Sequence, residues 1–425
     1  MRKNILLPWN KALSYIIREI VSTADEIKKE WKIIYRENIW DPVAKWEKIP
    51  EWLKDIVKRA CDEDEVYRYS PTRWLDKTLE YIISKNPKLR KKDIIFFNGI
   101  WDAISKVYKV LSFDSRIIWP NPAYPTHSST EAAHAGSFYI TYNLNPENNW
   151  NPDLQELKNK VKYNPNIVWI LVVNPDNPTW KVFSKNILEK IVEIAKKYEL
   201  FLIFDEIYEK LVYEEKDKIK LSDIIQDVPW LSMKWISKDM PWPGARCWRI
   251  EVYNTDKDKN FREFVDSLLL SKMVEVCSTT LPQYVLPKIY ENKKYKKSLK
   301  KRIEKYKKRA QIAEDILKDS KELKVIKPKW AFYLTILFDN IDKTKKYKIE
   351  NKKIDDIVKS ALQNRKRFDE KFCYYMLGET WVCSVPLSWF NSTYDGFRIT
   401  LLEENIEQFK YILEKVKDFA KKWNK

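Results

Sequence analysis

Between about residues 50 and 290, short apolar runs alternate with amphipathic stretches. Residues 168–173 and 200–204 are uninterrupted apolar runs, which is typical of strands buried on both faces. Between these runs, the apolar residues of 187–195 fall on one face of a helix. A strand–helix–strand order predicts a βαβ unit in a parallel sheet, and therefore an α/β fold.

The pattern changes in the C-terminal third of the chain. Apolar residues spaced three and four apart predict one long helix over residues 295–317. Residues 331–338 and 382–387 predict strands of a second, smaller domain, and residues 343–353 predict a polar, mobile loop.

The length of 425 residues suits two domains, and 44% hydrophobic with 33% charged residues is typical of a globular protein. We expect an N-terminal arm with part of the small domain at 1–49, a large domain at 50–290 and a small C-terminal domain at 291–425. No apolar run approaches the ~18–20 residues of a membrane helix, and residues 1–11 make a poor signal peptide. We therefore expect a cytoplasmic protein with no membrane partner.

Few residues are available for metal or disulfide chemistry. The five cysteines form no CxxC pair and are odd in number, and the chain has two histidines. These counts disfavour a disulfide framework and a metal site. Acid–base chemistry must then fall to Lys, Asp, Glu, Tyr or a cofactor.

The net charge of +18 has two interpretations. It could mark a surface that binds nucleic acid, or a solvated surface rich in lysine. The lysines are spread over 293–308 and 343–353 and are not interleaved with aromatic residues. This distribution favours the solvated surface and no nucleic-acid partner.

Glycine is scarce and tryptophan is abundant. Ordinary usage predicts roughly 30 glycines in this length, whereas the chain has 5 glycines and 19 tryptophans. Trp180, Trp330 and Trp389 stand where turn chemistry favours glycine, the residue that adopts positive φ without penalty. We hypothesise that many of these codons are UGA, read as glycine in the source organism, with Trp52 and Trp242 expected to be genuine. The alternative is a truly tryptophan-rich protein.

Six segments combine turn residues with side chains that carry chemistry. They are FFNGIWDAI (96–104), PNPAYP (120–125), NPDNPTWKVF (174–183), FLIFDEIYEKLVY (201–213), ISKDMPWPGARCWRI (236–250) and GFRITLLE (396–403). In the first segment a strand-like run enters a glycine turn and a helix, whose first N–H groups suit a phosphate. Taken singly, most have ordinary explanations, such as an aspartate that caps a helix. Their order and spacing therefore carry the argument.

In that order and at that spacing, the segments resemble those of the fold-type-I pyridoxal 5′-phosphate (PLP) aminotransferases of class I/II, over nearly the whole chain. The most specific match is 236–250, which is similar to the family's SK-x-PG-x-R-x-G signature. The resemblance implies a large, doubly wound, mostly parallel-sheet domain with a smaller α+β domain. It also implies a homodimer with shared active sites.

The resemblance assigns roles around the cofactor ring. Lys238 would attach the cofactor covalently, and a lowered pKa would help its amine to do so. Asp205 would keep the ring nitrogen protonated, so that the ring accepts electrons. Tyr208 and Asn177 would hydrogen-bond the 3-oxygen of the ring, and Tyr124 would stack on its face.

Further residues are implied at the phosphate and the substrate. Those at the phosphate are Gly99, Ile100 and Arg246, together with Tyr69 of the neighbouring subunit, and Trp101 and Ser237 are also implied to contact the cofactor. Arg398 would bind the α-carboxylate of the substrate in a bidentate pair, with Trp40 and Asn177 beside it. We find no arginine near Ser278 for a second substrate carboxylate, which disfavours a strict aspartate enzyme.

Several positions depart from the family pattern. Trp40, Trp101, Trp180 and Trp248 stand at family glycines, and Trp235 stands where many relatives have a phosphate-binding serine. If these tryptophans are literal, their bulk should crowd the pocket.

The implied activity is ping-pong transfer of an amino group between an L-amino acid and a 2-oxo acid. One alternative is a PLP-dependent lyase or decarboxylase, because relatives catalyse such reactions with nearly the same residues. Another is a non-catalytic PLP-binding or nucleic-acid-binding protein. The arm of about 50 residues, which has no clear helix-turn-helix pattern, disfavours the DNA-binding form of this alternative.

Overall fold

The computed structural model describes residues 16–30, 32–236 and 238–425. The strands are β1 (Tyr35–Arg36), β2 (Ile94–Phe97), β3 (Arg116–Asn121), β4 (Thr141–Asn145), β5 (Asn151–Pro152), β6 (Ile167–Val173), β7 (Phe201–Asp205), β8 (Trp230–Trp235), β9 (Trp248–Tyr253), β10 (Leu323–Val325), β11 (Tyr333–Phe338), β12 (Val382–Cys383), β13 (Val385–Pro386) and β14 (Gly396–Thr400). The α-helices are α1 (Glu19–Lys28), α2 (Glu51–Cys61), α3 (Asp76–Lys85), α4 (Ile100–Val110), α5 (Pro125–Ala135), α6 (Leu154–Tyr163), α7 (Lys185–Lys197), α8 (Lys259–Met273), α9 (Thr280–Glu291), α10 (Lys293–Leu317), α11 (Lys352–Leu362), α12 (Phe368–Thr380) and α13 (Ile406–Asn424).

The large sheet has the strand order β2-β9-β8-β7-β6-β3-β4-β5. The strands from β8 to β4 are parallel, β9 is antiparallel to both of its neighbours, and β5 is antiparallel to β4. Every residue of β2 and nearly every residue of β6 and β7 is buried. Because successive side chains point to opposite faces of a strand, both faces of this sheet are covered.

The predicted βαβ unit is confirmed. Strand β6 leads into α7 and then into β7, and the two strands pair in parallel, with Val173 opposite Asp205. Helix α7 begins where the Ser184 hydroxyl accepts a hydrogen bond from the Ile187 backbone N–H. It buries Leu188, Ile191, Val192 and Ala195, which belong to the apolar face predicted from the sequence.

A smaller antiparallel sheet has the order β10-β11-β14-β13, and the long helix α10 packs against α13. Strand β1 pairs in parallel with β12, which joins the segment before residue 50 to the C-terminal part of the chain. The α/β fold with a large, mostly parallel sheet and a smaller α+β region is confirmed. The exact domain boundaries stay a prediction.

Two predicted strands differ in detail. The strand predicted at 331–338 begins only at Tyr333, because Ala331 has a φ of 49° that interrupts the extended backbone. The strand predicted at 382–387 is two short strands, β12 and β13, which belong to different sheets.

The loop predicted at 343–353 is largely irregular up to residue 351, but two of its side chains are buried. Tyr347 stacks on Trp423 with ring centroids 5.2 Å apart, and Ile349 is 3% exposed. This packing argues against a freely mobile segment. Among the described helices, none is both long and apolar enough to cross a bilayer.

Tryptophans occupy an unusual share of left-handed backbone positions. Twelve described residues other than glycine have positive φ, and five of them are Trp46, Trp74, Trp150, Trp180 and Trp381. The left-handed region costs an L-residue roughly 1–2 kcal/mol, whereas glycine adopts it freely. These five positions are therefore places where the backbone itself favours glycine.

Candidate active site

The sequence-predicted residues converge at the carboxyl ends of β6, β7 and β8, where open α/β sheets usually bind ligands. Asn177 follows β6, Asp205 ends β7, Tyr208 comes three residues after Asp205, and Lys238 follows β8. A cavity of about 440 Å³ opens there. The predicted residues that line it are Trp40, Ile100, Trp101, Tyr124, Asn177, Asp205, Tyr208, Lys238 and Arg246.

Lys238 is buried among aromatic rings and the side chains of arginines. Its side chain is 2% exposed, its Nζ donates to the carbonyl oxygen of Trp40 at 3.4 Å, and the Trp40 ring centroid lies 5.1 Å from Nζ. Burial lowers the pKa of Lys238 to about 7; Asp41 opposes this shift, and Arg302, Arg398 and Arg246 add to it. A substantial fraction of the amine is therefore neutral near pH 7, as a nucleophile or base requires.

Asp205 is buried and is paired with a histidine that sequence reasoning missed. His127, on α5, is 1% exposed, and its Nε2 lies 3.2 Å from Oδ2 of Asp205. The other carboxylate oxygen accepts a hydrogen bond from the backbone N–H of Ile207 at 3.3 Å. The available signal was that His127, one of only two histidines, follows Tyr124 by three residues, about one helical turn.

Tyr208 forms a hydroxyl pair with a second residue that was missed. Its hydroxyl lies 3.0 Å from that of Tyr333 on β11, and both side chains are buried. Burial raises the pKa of Tyr208 well above its ordinary value, and raises that of Tyr333 to about 12. Both phenols therefore stay protonated at neutral pH and can donate hydrogen bonds.

Arg398, on β14, is 2% exposed; it is not among the residues that line the cavity, but it contacts Asn177, which does line it. Its guanidinium carbon lies 4.4 Å from the ring centroid of Tyr333 and 4.7 Å from that of Phe390. Its Nη1 donates to Oδ1 of Asn177 at 3.0 Å, and its buried Nε has no hydrogen-bond partner within the described part of the chain. The two rings hold the guanidinium plane and leave donor capacity for an anion.

Gly99 and Arg246 form a close contact at the start of α4. Gly99 has a φ of 107°, and a Cβ added there would overlap the guanidinium of Arg246. Ile100 is the first residue of α4, where backbone N–H groups lack helical acceptors. This end of the cavity therefore combines a helix N-terminus with an arginine, which suits a phosphate.

The tryptophans at positions that depart from the family pattern take up space at the site. Trp40, Trp101 and Trp235 line the cavity, and the Trp235 ring packs 5.0 Å from that of Trp248. The indole N–H groups of Trp235 and Trp248 are buried and have no acceptor among the described residues. Such unsatisfied donors are costly.

Tyr69 lies away from the cavity, and several residues that line the cavity, Arg18 among them, were not predicted. Tyr69 is 82% exposed and does not line the cavity, and Ser237 falls outside the described residues. Arg18, just before α1, lines the cavity. The sequence has no arginine near Ser278 for a second substrate carboxylate, and the Ser278 hydroxyl donates to the Phe96 carbonyl oxygen. Arg18 is far from that position in the chain, so spacing gave no signal for it.

Comparison with known proteins shows which family the chain belongs to. The family model for aminotransferase class I and II matches residues 41–416. An uncharacterized aminotransferase of Methanocaldococcus jannaschii is 45% identical over 99% of this chain and 100% of its own length. The glutamate-pyruvate aminotransferase AlaA of Escherichia coli strain K12 is 24% identical over 63% of this chain and 66% of its own length.

The fold also matches that of solved structures. An alanine aminotransferase from Pyrococcus furiosus superposes with a TM-score of 0.84 at 23% identity, covering 99% of this chain and 100% of that one. The family match spans most of the chain, and the archaeal relative spans nearly all of it. The chain therefore belongs to the aminotransferase class I and II family and is an aminotransferase.

Proposed function

We propose that this aminotransferase holds PLP in the cavity at the ends of β6, β7 and β8, with Lys238 as the attachment point. The observation that carries the proposal is that Lys238, Asp205, Tyr208, Asn177 and Arg246 line one cavity. They come from three separate stretches of the chain, 174–183, 201–213 and 236–250. Their convergence is hard to explain by the packing needs of any one element.

The residues present fit the dimensions and chemistry of PLP. A volume of about 440 Å³ lies within the range of small-molecule sites. The Gly99–Arg246 contact supplies N–H donors and a guanidinium for the phosphate, and Asp205 supplies a buried carboxylate for the ring nitrogen. When bound, PLP provides an electron sink for the charge that develops at the substrate α-carbon.

The chain's own residues would divide the remaining work. Arg398 binds the α-carboxylate of the amino acid and so fixes the α-carbon near Lys238. The amine of Lys238, poised by a pKa of about 7, takes the proton from that carbon and later returns one. Tyr208 stays protonated and donates to the ring oxygen, and His127 holds the orientation of the Asp205 carboxylate.

The substrates we propose are an L-amino acid and a 2-oxo acid that use the site in turn. Arg18 lines the same cavity and offers a cation to a second carboxylate. A relative named glutamate-pyruvate aminotransferase pairs a dicarboxylic amino acid with a small 2-oxo acid. We therefore propose glutamate or 2-oxoglutarate as one partner, with a small, uncharged amino acid as the other.

Product analysis tests this reaction against elimination and decarboxylation. With glutamate as donor, we expect 2-oxoglutarate to form only when a second 2-oxo acid such as pyruvate is supplied, in equal amounts with the new amino acid. Release of ammonia or carbon dioxide without an acceptor would contradict the proposal. An Arg18→Gln variant should raise KM for glutamate more than KM for alanine.

We also propose a homodimer with shared active sites. Tyr69 is 82% exposed, and it borders a groove that Arg68, Leu75, Tyr284 and Lys288 also line. A tyrosine so exposed cannot serve the cavity of its own chain, but it can reach the phosphate end of the site in a neighbouring copy.

We further propose that many tryptophan codons are read as glycine. The support is the five tryptophans at positive φ and the unpaired indole N–H groups around the cavity. Peptide mass spectrometry of the native protein should find glycine at Trp180 and Trp46. Trp52, whose indole N–H donates to Ser298 at 3.0 Å within an ordinary helix, should remain tryptophan. Native peptides with tryptophan at position 180 would end this proposal.

A further inference from the structure

We propose that Arg302, together with Glu47, is a positioning residue that fixes the main chain of Lys238 and the segment 40–47 that covers its amine. This inference rests on the proposed role of Lys238. Arg302 does not line the cavity and would not touch cofactor or substrate.

Arg302 binds the turn that carries Lys238. It lies on the buried face of α10 and is 6% exposed. Its Nη1 donates to the carbonyl oxygen of Lys238 at 2.8 Å and to that of Asp239 at 2.6 Å. One guanidinium nitrogen therefore holds two successive peptide groups, directly after the point where β8 ends.

The other edge of the same guanidinium binds Glu47. Nε of Arg302 donates to Oε1 of Glu47 at 2.7 Å, and the hydroxyl of Tyr306 donates to Oε2 at 2.6 Å. Glu47 is 6% exposed. Burial alone would raise the pKa of Glu47, but Arg302, Lys305 and Tyr306 outweigh it and lower the pKa to about 2. The carboxylate is therefore charged throughout the neutral range.

Glu47 in turn fixes the segment above the Lys238 amine. The Glu47 N–H donates to the Pro42 carbonyl at 2.9 Å, which closes a compact turn after Trp40. The Trp40 carbonyl accepts from Nζ of Lys238 at 3.4 Å. Arg302 thus determines the position of Lys238 twice, through its main chain and through the acceptor of its amine.

The consequence is a precise location for the amine that moves the substrate proton. Arg398, the proposed substrate-binding residue, lies on β14. Strand β14 takes no part in the contact of Arg302 with Glu47 and the Lys238 turn, so substrate binding should not depend on Arg302. Loss of Arg302 should therefore lower kcat and leave KM for the amino acid nearly unchanged. Misplacement of a reacting group by about 1 Å can cost on the order of 100-fold in rate.

The test compares Arg302→Lys and Arg302→Met with Lys305→Met. Lys305 binds the same Glu47 carboxylate at 3.2 Å but is not among the residues that donate to the two carbonyls. Each full-length variant is measured for kcat, KM and melting temperature. In addition, acetic anhydride labelling of Lys238 in the cofactor-free protein, read by peptide mass spectrometry, gives a pH profile that does not depend on activity.

We expect kcat to fall roughly 10–100-fold in Arg302→Lys, with KM within about threefold, because an ammonium cannot span both carbonyls and Glu47. In Arg302→Met, the labelling profile should move to higher pH, because a nearby cation is lost. Lys305→Met should match the wild type in kcat. If Arg302→Met does not fold, Arg302→Lys decides the matter.

Wild-type kcat in Arg302→Lys, or an equal loss of kcat in Lys305→Met, would overturn the inference. A different result tests the proposed function itself: the wild-type protein would carry no cofactor on Lys238. In that case both proposals fall. If the cofactor is on Lys238 and Arg302→Lys behaves as wild type, only the positioning role is wrong.

Discussion

Lys238 is almost fully buried among aromatic rings and arginine side chains, and its pKa falls from an ordinary 10.5 to about 7. Burial of a charged amine is the largest cause of this shift, and three arginines add to it. The same environment that favours a neutral amine for chemistry disfavours the folded state whenever that amine must lose its proton to fold. Function and stability are therefore opposed at this residue.

This opposition predicts a pH dependence of stability in the cofactor-free protein. Between about pH 7 and 10, the unfolded state binds one more proton at Lys238 than the folded state does. Raising the pH disfavours the state that binds the extra proton and so stabilises the fold, by up to about 1.4 kcal/mol per pH unit. Lys238→Met should therefore be more stable than the wild type at pH 7.5, and its advantage should shrink toward pH 10. Urea unfolding at several pH values measures this, and a constant difference would contradict it.

Some residues at the site could be predicted from the sequence, and others could not. Lys238, Asp205 and Asn177 could be predicted because each lies in a short motif whose neighbours fix its identity. Arg302 and the pocket-lining Arg18 could not be predicted, and the spacing of His127 from Tyr124 did not by itself show the pairing with Asp205. Their roles depend on contacts with residues far away in the sequence, and no local spacing encodes such contacts.

At the scale of elements, the junction between β2 and α4 leaves no room for a side chain. Gly99→Ala would place a Cβ against the Arg246 guanidinium, at a φ of 107°. We expect the Kd for PLP to rise at least about tenfold, because loss of one charge-assisted hydrogen bond costs roughly 1.5–3 kcal/mol. Gly244→Ala is the matched control, since no atom lies within 4 Å of its added Cβ. Equal Kd values for the two variants would contradict this account of the junction.

The same backbone argument predicts opposite effects of glycine at two tryptophans, Trp46 in a turn and Trp52 in a helix. Trp46 is 82% exposed in a turn at a φ of 69°, whereas Trp52 is buried in α2. Trp46→Gly should stabilise the fold by about 0.5–1 kcal/mol, because left-handed strain of ~1–2 kcal/mol exceeds the entropy cost of glycine. Trp52→Gly should destabilise it by roughly 3–5 kcal/mol through lost packing. Chemical denaturation decides, and destabilisation by Trp46→Gly would oppose the recoding proposal.

The predictability of elements follows their hydrophobic pattern. The βαβ unit of β6, α7 and β7 and the long helix α10 were predicted because their apolar residues follow one period over many positions. The split of 382–387 into β12 and β13 was not predicted. Two-residue strands are defined by partners in other parts of the chain, and no periodicity can develop within two residues.

At the scale of the whole molecule, the segment before residue 50 joins the C-terminal part of the chain, where β1 pairs with β12, and β14 of that part carries Arg398. A second copy would add Tyr69. We expect Tyr69→Phe to lower activity about tenfold, through loss of a charge-assisted hydrogen bond worth roughly 1.5 kcal/mol or more. If sites are shared, mixed dimers of Tyr69→Phe with the inactive Lys238→Ala should recover one intact site.

The recovered activity should approach half of the wild-type value per mixed dimer. The control is a mixture of Lys238→Ala with an Arg246→Ala chain, whose two changes belong to the same subunit's cavity. In a mixed dimer of that pair, each site carries one defect and activity should stay low. Absence of recovery with the Tyr69 variant would place Tyr69 outside the neighbouring site.

The most direct test of the central claim is borohydride reduction of the PLP-loaded protein, followed by peptide mass spectrometry. Reduction makes a lysine–cofactor bond permanent, so the modified lysine identifies itself. We predict the label on Lys238 alone, with none on Lys234, which lies four residues earlier, is half-buried and is paired with Glu206 and Glu209. Label on another lysine, or none at all, would contradict the account.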